Sequence, residues 1–64
     1  MKKFFEIGEE IFRDGEIIKI EREHGGAAYI CSVYEITEDD DMVYNRTQYF
    51  TVNELRTIER RNNF

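Results

Sequence analysis

The residues of this chain best equipped for chemistry are four consecutive acids, Glu38-Asp39-Asp40-Asp41, with Glu35 just upstream. Clustered carboxylates suit two tasks: holding a hard cation through oxygen ligands, or meeting a basic protein surface. A calcium loop spreads its ligands over about 12 residues, with an internal glycine and a closing glutamate. "TEDDDM" has no such spacing. The stretch therefore reads as a docking patch or as a solvated turn that only aids solubility, and no metal is expected.

His24 and Cys31 are the other reactive side chains. A catalytic histidine needs an orienting carboxylate and a nucleophile in reach. "EREHGG" offers Glu21 and Glu23 but no Ser or Cys close in sequence. It also lacks the strand–turn–helix setting of an oxyanion loop. His24 reads as an exposed turn histidine. Cys31 lies between Ile30 and Ser32 with no basic neighbour to lower its pKa, so it reads as a buried structural thiol. As the single cysteine it has no internal disulfide partner. That, with a start "MKKFFEIGEE" whose apolar patch is too brief for a signal peptide, leads to an expected cytoplasmic location. The sequon Asn45-Arg46-Thr47 carries little weight in that setting. No apolar run approaches the ~20 residues that span a bilayer. With no motif for metal, nucleotide or nucleophilic catalysis, the expectation is a non-enzymatic protein without a cofactor.

Size and charge narrow the partners. Sixty-four residues make one domain, 1–64, with one modest core and no deep pocket enclosed by the chain alone. Acidic residues outnumber basic ones 14 to 9. Residues 24–41 hold five acids and no Lys or Arg, while residues 42–64 are net basic. A phosphate-gripping domain normally shows a basic surface, so direct nucleic-acid binding is the lesser expectation. Arg56, Arg60 and Arg61 read as a solvated basic end.

These groups must be held by something, and the chain punctuates itself clearly. It has no proline, no repeat and no linker. Asp14-Gly15 is a tight-turn signal, because glycine accepts the positive φ such turns demand. A helix through residues 8–20 would put Gly15 in its middle at a cost of about 1 kcal/mol and waste isoleucines that favour strands. The stretch therefore reads as a hairpin, with strands near 9–13 and 15–23. In the second strand Ile18 and Ile20 share one face, Lys19, Glu21 and Glu23 the other, and Ile17 is the exception on the charged side. "HGG" is the next turn. A third strand follows, "AAYICSVYEIT", with Tyr29, Cys31 and Val33 on one face and Ile30, Ser32 and Tyr34 on the other. "EDDD" turns into "MVYNRTQYFT", a fourth strand with an interruption near Asn45–Thr47. The closing "VNELRTIERR" reads either as a short helix with Asn53 as N-cap, or as a 3₁₀ turn at 52–55 and a short strand near 56–60; the second is preferred.

Aromatics are preferred anchors at interfaces and platforms for bases. Tyr34 and Tyr44 fall opposite the Val33 and Val43 face and are candidates for contact, whereas Tyr49 and Phe50 are expected in the core.

The pattern resembles the SH3-like small β-barrels, in the broad sense that takes in KOW and Tudor-type modules of small bacterial and phage proteins. The matching stretches are "FEIGEEIF", "DGEIIKI", "YICSVYEI", "VYNRTQYF" and "VNELRTI", over about residues 4–60. The resemblance implies an all-β, five-stranded barrel with a 3₁₀ turn or short helix near the C-terminus. The chain departs from KOW-type binders in lacking a basic cluster at its second and third turns. It departs from proline-motif SH3 domains in lacking Trp and an ALYDY-like segment, so neither binding site carries over.

The functional expectation is a protein–protein interaction module, of the kind a phage or mobile element uses as an inhibitor. It would bind a basic protein surface through Tyr34, Glu35, Glu38, Asp39, Asp40, Asp41 and Tyr44. The alternatives are a nucleic-acid-binding barrel using the tyrosines and arginines, and a structural subunit of a homo-oligomer.

Overall fold

A computed structural model describes residues 4–61. Lys2 and Lys3, part of the opening read above, lie outside the described residues. Four antiparallel strands follow one another in chain order: β1 (Glu10–Arg13), β2 (Glu16–Glu23), β3 (Ala28–Ile36) and β4 (Met42–Thr51). A single helix, α1 (Val52–Arg61), follows β4 directly.

The turns fall where the sequence puts them. Gly15 sits at φ +82° and Asp14 also has positive φ, as a tight hairpin requires. Strand parity then sorts the core. Ile18 and Ile20 of β2, with Tyr29, Cys31 and Val33 of β3, are buried together on one face. Ile11, Phe50 and Phe5 complete that layer, and Val52 and Leu55 of α1 cover it. The edge of the sheet is extended before β1 begins, because Gly8 N–H donates to the Ile20 carbonyl and Ile20 N–H to that of Glu9. At that end Phe5 packs edge-to-face on Tyr29, ring centroids 5.8 Å apart, and its N–H donates to the Tyr29 hydroxyl.

Three expectations need correction. The segment after Thr51 is a ten-residue helix, not a 3₁₀ turn and strand. Its start is a capping box: Glu54 N–H donates to Thr51 Oγ1, while Thr51 N–H donates back to Glu54 Oε1. Thr51 is therefore the cap, two residues earlier than Asn53. Without a fifth strand the described strands form an open four-stranded sheet, not a closed five-stranded barrel, and α1 closes the core in its place. Tyr49, expected inside beside Phe50, is 50% exposed. Neighbouring residues of a strand point to opposite faces, so only one of the two can enter the core.

Among the described residues every buried side-chain nitrogen and oxygen has a hydrogen-bond partner. A bulge between Ile20 and Arg22 lets Ser32 Oγ donate to Glu21 Oε2 at 2.7 Å. Glu16 takes Arg13 at 2.8 Å and Arg46 at 3.4 Å. The Arg13 hydrogen bond holds the Glu16 carboxyl below its usual value, Arg46 adds to this, and partial desolvation opposes it.

Candidate functional site

The sheet has two faces and α1 occupies one. Among the described residues no element packs on the other. Cross-strand pairing sets one row of side chains over that second face: Phe12 of β1, Ile17 of β2, Tyr34 of β3 and Tyr44 of β4. Ile17, the residue that broke the alternation of β2, is buried between strand partners Phe12 and Tyr34. Phe12 and Tyr44 are 54% and 56% exposed. Tyr34 and Tyr44 meet edge-to-face at 5.9 Å, and the Tyr44 hydroxyl shares a 2.6 Å hydrogen bond with Thr47 Oγ1.

Beyond the intervening Glu35–Val43 pair, the next pair on the same face is Ile36 and Met42, also exposed. These two lead straight into the acidic turn. Thr37 organises that turn: its Oγ1 accepts from the N–H groups of Asp39 and Asp41, and its own N–H donates to the Asp41 carbonyl at 2.8 Å. Asp40 sits at φ +63°, a conformation that Asp and Asn tolerate better than most residues. Glu38, Asp39, Asp40 and Asp41 are all exposed, and Glu35 accepts a 3.4 Å contact from Asn45 Nδ2. Among the described residues no three His, Cys, Asp or Glu side chains are arranged to hold a metal ion.

A bulge decides where Tyr44 points. The β3–β4 register slips between Val33 and Tyr34, so Val33 pairs with Arg46 and Tyr34 with Tyr44, leaving Asn45 as the extra residue. The structure thus brings Tyr34 and Tyr44 together beside the acidic turn. Phe12, Ile17, Ile36 and Met42 join them, none of which is among the contact residues expected from the sequence. The anomalous apolar Ile17 on a charged face was the available signal.

The other candidates fall elsewhere. His24 is exposed and packs edge-to-face on Tyr49 at 5.4 Å. Arg56 stacks over the Phe4 ring at 4.7 Å. Cys31 is wholly buried, and desolvation, with the Glu21 charge nearby, pushes its thiol up to about 11. At pH 8 only about one thiol in a thousand would then be thiolate, the reactive form. In the folded protein Cys31 is expected to resist a colorimetric thiol reagent at pH 8 and to react fully once denatured. Rapid labelling of the folded chain would contradict its burial.

No helix among the described residues is long and apolar enough to cross a membrane. Compared with protein-family models, curated proteins and solved structures, the chain matches none of them.

Proposed function

We propose that this protein is a non-enzymatic interaction module that docks on a basic protein surface. The contact is the helix-free face of the β3–β4 hairpin and its acidic tip. One observation carries the reading: a cross-strand apolar and aromatic row ends beside four exposed carboxylates. An exposed aromatic cluster supplies the area that gives affinity, and a like-charged rim steers the approach of an oppositely charged partner. Arginine suits such a surface, since a guanidinium can stack on tyrosine and pair with a carboxylate. By this reading the chain acts by occupying a larger protein's basic site, as a small phage or mobile-element inhibitor would. Kinship with the SH3-like small barrels is part of the same proposal, supported by the quoted motifs and by four strands joined in order.

The test replaces Asp39, Asp40 and Asp41 together by Asn, which keeps the turn's backbone preference at Asp40. Folding stability should change by no more than about 1 kcal/mol, because exposed turn positions tolerate change. Association with a captured partner should slow several-fold at low salt and converge with the parent at high salt. Equal association rates at every salt concentration would end the acidic-patch reading. A mobility shift of DNA by the chain alone would favour the nucleic-acid alternative, and a concentration-dependent dimer blocking the tyrosine row would favour self-assembly.

A further inference from the structure

At the opposite end of β3 from the acidic turn lies a second surface feature. The eight residue steps of that strand separate the two by about 27 Å. It is an open groove of about 520 Å³ between the His24–Ala27 turn, the end of β4 and the first turn of α1. Its volume falls within the range of small-molecule sites, roughly 300–1,000 Å³.

The lining is unusual for this chain. Fourteen of its 64 residues are acidic, yet among the described residues no carboxylate lines the groove. Among the described residues the charged or chargeable groups there are Arg56 and His24, with the phenol of Tyr49. Both ion pairs among the described residues are made by Glu16, so Arg56 has no carboxylate partner among them. Its guanidinium lies instead over the Phe4 ring, 4.7 Å from the centroid. Stacking uses the flat face of a guanidinium and leaves its in-plane N–H groups able to donate to an anion.

Two further features shape the site. Tyr49 stands half exposed, braced edge-to-face by His24 at 5.4 Å, and offers a flat apolar wall. Gly25 and Gly26, also in the lining, carry no side chain, and open space lies where a Cβ would stand. A ligand can therefore approach that backbone closely.

We propose that this groove binds a small ligand with a flat apolar body and one anionic group, the anion on Arg56 and the flat body against Tyr49. A mononucleotide and a simple aryl phosphate share this chemistry. This site does not rest on the docking face proposed above, and the two stand or fall separately.

The experiment is a titration of the isotope-labelled full chain, followed by backbone amide resonances. The probes are adenosine 5′-monophosphate and phenyl phosphate, with adenosine as the uncharged control. Saturable shifts centred on Gly25, Gly26, Thr51 and Asn53 are expected with at least one phosphorylated probe. Shifts from the nucleotide alone identify a nucleotide-type ligand, and shifts from both identify a general aryl anion. Adenosine should bind about tenfold more weakly, the usual effect of losing a charged hydrogen bond. Arg56→Gln should weaken binding to a similar degree, whereas Arg60→Gln, the same charge change one turn on, should not. Arg56 is exposed, so its replacement leaves the core intact, and the amide spectrum itself reports folding. The proposal is overturned if neither phosphorylated probe gives saturable shifts there, if adenosine binds as tightly, or if the two arginine variants behave alike.

Discussion

Ile20→Ala is expected to destabilise the protein by about 2–4 kcal/mol, while Lys19→Ala, one residue away, changes stability by no more than about 0.5 kcal/mol. Ile20 is wholly buried, in the layer with Cys31, its cross-strand partner, and under α1. Removing its side chain leaves a cavity in a layer only one sheet and one helix thick, with little freedom to collapse. Lys19 points to the opposite face, where its neighbours are Glu10 and Ser32. A domain of this length has a total stability of roughly 3–10 kcal/mol, so the Ile20 variant should unfold a large share of molecules near body temperature. Denaturant midpoints of the two variants decide the matter. Equal shifts would show that β2 presents the wrong face to the core.

The second large effect concerns the helix. Leu55→Ala should cost about 2–5 kcal/mol, whereas Thr57→Ala should cost well under about 1 kcal/mol. In α1 the apolar residues Val52, Leu55 and Ile58 recur at helical spacing and lie on the core, and Thr57 is exposed. On a strand, Leu55 and Thr57 would share a face and respond alike. Circular dichroism of the Leu55 variant should also lose helical signal before the β signal fails, because a ten-residue helix is marginal without its packing. Comparable losses from both substitutions would favour the strand.

Much of this protein was legible from local rules. Asp14-Gly15, the His24-Gly25-Gly26 run and the acidic turn ending at Asp41 mark each turn between consecutive strands, because turn geometry is set by a few adjacent residues. Alternation then assigns Ile18, Ile20, Tyr29, Cys31 and Val33 to one face, because a strand's side-chain period is a property of the backbone. The acidic turn follows the same logic, whereas the pairing of Tyr34 with Tyr44 depends on a slip in register that alternation does not give.

Tertiary structure decided the rest. "TVNELRTI" carries a capping box at Thr51 and Glu54 together with residues that pair well in strands, and local preference leaves both forms open. The uncovered layer of Ile11, Ile20 and Phe50 selects the helix, since α1 buries Leu55 completely against it. That choice leaves the sheet open, with no element among the described residues packed on the far face. The row from Phe12 through Ile17 to Tyr44 exists only once four strands are in register, and one bulge at Asn45 sets which face Tyr44 takes. The groove at Arg56 likewise joins Phe4, the turn at His24 and the start of α1, segments that lie far apart along the chain. Parity and turns are short-range properties of a chain, whereas register, closure and grooves depend on which distant surfaces bury one another.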